Sequence, residues 1–222
     1  QIRFAGANQT ATFTGAQLTG ETLLLTETAT GTSNLIINVG SGTTTTFTNI
    51  TASTFTSGSD TLRINGAAGN ESITSPPTLA TTIDGGDGAD TLVGGNGNDV
   101  YIFDTNDVDA GETISDSGGS ADVVAIATSV DFANLPEANL DNIEQIRFAG
   151  ANKTGTFTGA QFTGETLELT ETSAGTSNLV INVASGTTAT FTNLTPGSGF
   201  TNGSDTITIN GVGGDENITG PN

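Results

Sequence analysis

Residues 85–102 read GGDGADTLVGGNGNDVYI, two nonapeptides in tandem without a gap. Each has glycine at its first, second and fourth positions: Gly85, Gly86 and Gly88, then Gly94, Gly95 and Gly97. Asp90 and Asp99 take the sixth position, and the large apolar residues Leu92 and Tyr101 take the eighth. Glycine adopts backbone dihedrals that side chains resist, so the first six residues predict a sharp turn with exposed carbonyls. The last three predict a short strand whose apolar residue points into a core.

The chain around this motif repeats itself. QIRFAGANQTATFTGAQLTGETLLLTET begins at Gln1, and QIRFAGANKTGTFTGAQFTGETLELTET begins at Gln145. After Thr51 and Thr195 the second copy has one extra residue; the match resumes at Phe55 and Phe200. It continues through SDTLRINGAAGNESIT (59–74) and SDTITINGVGGDENIT (204–219). Three segments follow: a Thr-rich β half-module over 1–76, the glycine-rich segment over 77–144, and a second half-module over 145–222. Self-similarity at fixed spacing is the mark of repeat architecture. A start at Gln1 and about one and a half copies predict an excerpt of a longer tandem array.

Period-two alternation predicts half-buried strands at Leu23/Leu25, Leu35/Ile37/Val39, Leu62/Ile64 and Ile207/Ile209. No helix is expected; the nearest candidate, 131–146, is interrupted by Pro136. The short strands suit a β-solenoid or a small sandwich, and the step from Gly66 to Gly85 favours the solenoid. The expected fold is therefore all-β, with a parallel β-roll in the middle and Thr-rich β regions on either side.

Composition narrows the chemistry. Among 222 residues there are 24 acidic and 4 basic side chains, a formal net charge of -20, with no His, Cys, Met or Trp. Serine-histidine triads, cysteine nucleophiles and the usual zinc sites are excluded. Four basic residues form no phosphate-binding surface, so nucleic acid and an anionic membrane surface are poor partners, and neither nucleic-acid binding nor membrane insertion is expected. No apolar run is long enough for a membrane-spanning helix. Hydrophobic residues are 33%; counting the 31 glycines brings the total to roughly 47%, ordinary for a globular chain, so glycine stands where large side chains usually do.

The tandem pair resembles the hemolysin-type, or RTX (repeats-in-toxin), repeat G-G-x-G-x-D-x-U-x, U being a large apolar residue. The resemblance implies a parallel β-roll in which successive repeats form opposite sides, with calcium between same-side turns two repeats apart. Calcium takes six to eight oxygen ligands, which carbonyls and carboxylates supply. By this reading the turn 85–90 faces 66–74 (GAAGNESIT, with Glu71 in place of aspartate) and 103–111 (FDTNDVDAG, offering Asp104, Asp107 and Asp109). Residues 211–219 (GVGGDENIT) carry Asp215 and Glu216 in the second copy. The expected ligands are turn carbonyls of Gly85, Gly86, Gly88, Gly94, Gly95 and Gly97 with Asp87, Asp90, Asn96, Asp99, Asp104 and Asp107; Glu71 and Glu216 are weaker sites. Asp60, Asp116, Asp122 and Asp205 read as turn formers or surface charge. Tyr101 reads as core, and Arg3 and Arg147 as partners of nearby carboxylates.

The Thr-Phe-Thr stripes at Thr12, Thr46 and Thr156 read as plain strand propensity. The functional expectation is a secreted or cell-surface structural repeat protein whose modules fold on binding calcium and stack on copies of themselves. Two alternatives stand beside it: the calcium-binding secretion tail of an enzyme, and an adhesive module whose Thr/Asn-rich surface contacts glycan. No acid pair stands apart from the turn motifs, so catalysis is not expected in this segment.

Overall fold

The computed structural model describes residues 1–56, 59–201 and 203–221. The chain winds as a β-solenoid of parallel strands. A nine-stranded sheet runs nearly its whole length: Thr10–Thr14, Asn34–Asn38, Thr61–Asn65, Thr81–Asp84, Val100–Phe103, Val123–Ile126, Gln145–Phe148, Leu167–Glu171 and Leu194–Pro196. Every pairing in it is parallel. Coiling explains this, since each strand is reached from its neighbour only after a full circuit of the chain. The Thr-rich halves thus continue the solenoid and do not form a sandwich.

Coil size changes along the axis. In the glycine-rich segment, Thr82 pairs with Val100 and Leu62 with Thr81, steps of 18 and 19 residues. Two strands fill each such coil, and Leu92 and Tyr101 sit on opposite sheets. In the Thr-rich halves Asn34 pairs with Thr61 and Leu167 with Leu194, steps of 27. There a coil carries three strands, for example Leu23–Glu27, Asn34–Asn38 and Thr44–Thr46. Consequently the two copies do not occupy the same sheets. Thr10–Thr14 lies in the nine-stranded sheet, whereas its repeat partner Thr154–Thr158 lies in a four-stranded one with Val130–Asp131, Asn178–Val183 and Thr206–Gly211. The long sheet takes the middle strand of each coil before the glycine-rich segment and the first strand after it.

Alternation places the apolar residues inside. Leu35, Ile37, Leu62, Ile64, Ile83, Leu92 and Tyr101 are all essentially inaccessible to solvent. Where the coils widen again, aromatic rings fill the extra width. Phe132 stacks on Phe157 at 4.3 Å between centroids, and Phe103 and Phe162 meet them edge-on at 5.3 and 5.0 Å. Outside, polar side chains pair across coils. Asn65 donates to Asn38 and Asn210 to Asn182, each at 3.0 Å, while Thr61 donates to Asn34 at 2.6 Å.

Three single turns of helix depart from the all-strand expectation. Gly15–Leu18 and Gly159–Phe162 are α-helical, and Glu137–Leu140 is a 3-10 turn directly after Pro136. Each α-turn begins at a Thr whose backbone N–H donates to a Gln three residues on: Thr14 to Gln17 at 2.8 Å and Thr158 to Gln161 at 2.7 Å. This is half of a capping box, enough to fix one turn. Arg3 and Arg147 also depart from expectation. Among the described residues the only ion pair is Arg63 with Asp84, at 2.8 Å.

The repeat supplies its own control for packing energy. Phe157 is fully buried, whereas its equivalent Phe13 at the chain's first coil is half-buried. Phe157→Ala is expected to cost about 3–5 kcal/mol, as for a buried aromatic, and Phe13→Ala clearly less. Urea unfolding of the two variants in calcium buffer measures the difference.

Candidate metal centre

Stacked turns form two columns, one on each side of the glycine-rich segment. The acid closing each turn points inward and accepts the backbone N–H of its counterpart one coil earlier. On one side Glu71 N–H donates to Asp90 Oδ1 at 2.7 Å, and Asp90 N–H to Glu112 Oε2 at 2.6 Å. On the other, Thr81 N–H donates to Asp99 Oδ1 at 2.7 Å, Asp99 N–H to Asp122 Oδ1 at 2.6 Å, and Asp122 N–H to Glu144 Oε2 at 2.7 Å. The second oxygen often closes the acid's own turn, as when Gly95 N–H donates to Asp99 Oδ2 at 2.8 Å and Ala67 N–H to Glu71 Oε2 at 3.1 Å.

Glycine makes this stacking close enough. Gly88 has φ of +135°, and a Cβ there would collide with the Gly69 carbonyl of the coil before. A Cβ on Gly95 would come within 2.6 Å of the Pro77 carbonyl oxygen. The sequence motif therefore marks positions where backbone meets backbone.

Two groups of three aspartates gather their oxygens within 4.8 Å: Asp87 with Asp104 and Asp107, and Asp99 with Asp116 and Asp122. Each joins one turn to the next turn on the same side. The first group unites three of the expected ligands. Asp107 within it is buried, and its Oδ2 accepts the Asp104 N–H at 2.5 Å. The second contains Asp99 together with Asp116 and Asp122, which the sequence reading had given to turns and surface charge. Tyr101 is in the core as expected, and its hydroxyl donates to Asp116 Oδ2 at 2.7 Å. The available signal was Gly118-Gly119-Ser120-Ala121-Asp122, a shortened form of the glycine-rich turn.

The remaining expected ligands fall elsewhere. Asp90 is fully buried in the ladder and lies in neither group. Asn96 is exposed, and its Oδ1 accepts the Ser117 hydroxyl at 3.2 Å. Glu71 is buried in the ladder, and one of its oxygens also accepts the Gly42 N–H at 2.5 Å. Glu216 is half-buried. Asp60 and Asp205 do close turns, as expected, but are buried and not at the surface. Glu112 and Glu144, unremarked in the sequence, continue the two ladders.

Burial without countercharge raises these acids. Desolvation pushes Asp90 and Asp99 up to about 6, and Asp107 and Asp122 to about 7. Glu112 rises to about 9, desolvation leading and the charges of Asp90, Asp107 and Asp109 adding. Backbone hydrogen bonds oppose the shift in every case and are outweighed. Among the described residues four carboxylate oxygens, Asp90 Oδ2, Asp122 Oδ2, Glu171 Oε2 and Glu216 Oε1, are buried without a hydrogen-bond partner. Buried acceptors are ordinarily satisfied, so an orphaned carboxylate oxygen within a three-acid group points to a cation. All the donors are hard oxygens, which fits calcium and excludes metals that select nitrogen or sulfur.

No family model, curated protein or solved structure matches this chain.

The shifts fix the pH response of the metal-free protein. These carboxyls hold protons more tightly folded than unfolded, so stability is full below the ordinary carboxylate range near pH ~4 and declines as pH rises through 6 to 9. In EDTA, strand content by far-UV circular dichroism is expected to be higher at pH 5 than at pH 8. Saturating calcium reverses that order, because protons then compete with the ion.

Proposed function

We propose that this chain is a calcium-stiffened structural module of a secreted or cell-surface repeat protein. The observation that carries the reading is the Asp99, Asp116 and Asp122 group, with its buried and unpartnered Asp122 oxygen, set between stacked glycine-rich turns. Its residues would hold the ion with three carboxylates and nearby turn carbonyls. The Asp87, Asp104 and Asp107 group would do the same on the opposite side. In each place the ion supplies positive charge between coils that otherwise repel, in a chain of net charge -20. Binding free energy then becomes folding free energy. Millimolar calcium outside cells suits a site built from carboxylates on a flexible turn.

The solenoid's ends support stacking on a further module. Ile146 is fully buried under the coil before it, whereas its equivalent Ile2 is only half-buried. At the other end Ile218 is 37% exposed, while its equivalent Ile73 is inaccessible. Every strand pairing among the described residues is parallel, so a further module stacked on this one would keep the same polarity.

Far-UV circular dichroism with light scattering, during a calcium titration after EDTA, tests the reading. A coil-to-strand transition at sub-millimolar to millimolar calcium that magnesium does not reproduce is expected, followed by growth in particle size. Full strand content in EDTA with no calcium response would sink it.

A further inference from the structure

Each Thr-rich half contains a second kind of acidic site that no glycine-rich turn announces. In the first copy Glu27 and Asp60 line one open cleft of about 450 Å³. Ser33 ties them together: its hydroxyl donates to Glu27 Oε1 at 2.5 Å, and its backbone N–H donates to Asp60 Oδ1 at 2.8 Å. Asp60 Oδ2 accepts the Thr56 N–H at 2.5 Å.

The second copy rebuilds the arrangement. The Ser177 hydroxyl donates to Glu171 Oε1 at 2.5 Å, and its N–H donates to Asp205 Oδ1 at 2.7 Å. Asp205 Oδ2 accepts the Thr201 N–H at 2.6 Å. Here the site is closed off: Glu171 and Asp205 are each 6% exposed and Ser177 is 1% exposed. The remaining oxygen, Glu171 Oε2, is buried without a hydrogen-bond partner. Among the described residues, no Lys or Arg forms an ion pair with any of these four acids.

Two carboxylates bridged by one serine, one of them with a buried and unsatisfied oxygen, leave an acceptor that a cation would satisfy. The chain has no His, Cys or Met, so the donors are hard oxygens throughout. We propose that each Thr-rich half holds one calcium ion between the Glu27/Glu171 and Asp60/Asp205 carboxylates. Glutamate ends a strand of one coil and aspartate precedes a strand of the next coil at the same corner, so the ion pins a corner of the wider coils. Irregular oxygen sets of this kind suit calcium better than magnesium, which demands near-octahedral geometry. The inference goes beyond the turn-bound ions proposed above and does not depend on them.

Native mass spectrometry of the full chain in calcium counts bound ions. Terbium luminescence excited through tyrosine gives a separate readout. Tyr101 is the only tyrosine, there is no Trp, and its hydroxyl touches Asp116, so the signal reports the Asp99, Asp116 and Asp122 group. The double variant Glu27→Gln/Glu171→Gln is expected to lose two calcium ions while keeping the terbium signal. An unchanged ion count with an unchanged signal overturns the proposal. Loss of two ions from a protein that never gave a terbium signal upholds this site and defeats the turn-bound one. If the double variant does not fold, Glu27→Gln alone decides, since Glu27 is half-exposed: it loses one ion, or the proposal fails.

Discussion

A backbone N–H of one coil donating to a buried carboxylate of the next is the contact on which the solenoid depends. It satisfies an amide at each corner, where the strand ladder breaks off and no carbonyl is in reach. It also fixes the axial register, because a carboxylate reaches only the neighbouring turn. Glu71, Asp90 and Glu112 do this on one side, and Asp99, Asp122 and Glu144 on the other. Asp60 and Asp205 do it in the Thr-rich halves, donating partners being Ser33 and Ser177. The arrangement has an electrostatic cost, since it stacks acids above one another in a core with almost no basic residues. Hydrogen bonds to backbone amides offset part of that cost, and the raised Asp122 and Glu112 show the part left over. Either protons or cations must make up the difference.

The two kinds of coil divide the work. Narrow two-strand coils need glycine, because successive turns on one side stack so closely that backbone approaches backbone at Gly88 and Gly95. Wide three-strand coils have room for rings, which is why phenylalanine pairs appear there. Phe4 and Phe55 meet at 5.5 Å, and their equivalents Phe148 and Phe200 at 5.7 Å. Agreement between copies with different neighbours indicates that each half-module sets its own core. The acid sites follow the same division: aspartate trios between narrow coils, and glutamate-serine-aspartate bridges at the corners of wide ones.

Much of this was legible in the amino-acid order. The tandem nonapeptides at 85–102 determine a turn-strand unit, and the alternation at Leu62/Ile64 and Ile207/Ile209 determines which face is buried. The roll that the RTX resemblance implies places Asp104 and Asp107 opposite Asp87, one coil on. Asp116 and Asp122 read as turn residues or surface charge because the step grows from the 18 residues of Thr82 to Val100 to the 23 of Val100 to Val123, outside the nonapeptide spacing. The short helices escaped notice because one turn carries no periodicity; only Thr14 with Gln17, and Thr158 with Gln161, marked them. Asp60 and Asp205 were recognised as turn residues, but burial is a property of the coil stacked above them. Arg3 and Arg147 share a repeat position, yet among the described residues neither forms an ion pair.

The shift of the long sheet from one strand position to another has a mechanical meaning. Three sheets stop or start at different heights: one ends with Ile50–Ala52, another with Thr113–Ser115, and a third begins at Val130–Asp131. The nine-stranded sheet runs past all three joints. The joints are therefore staggered as in coursed brickwork, and no transverse plane cuts every sheet at once. A column laid this way has no built-in cleavage plane between its modules, and a crack opened at one joint runs into an unbroken course.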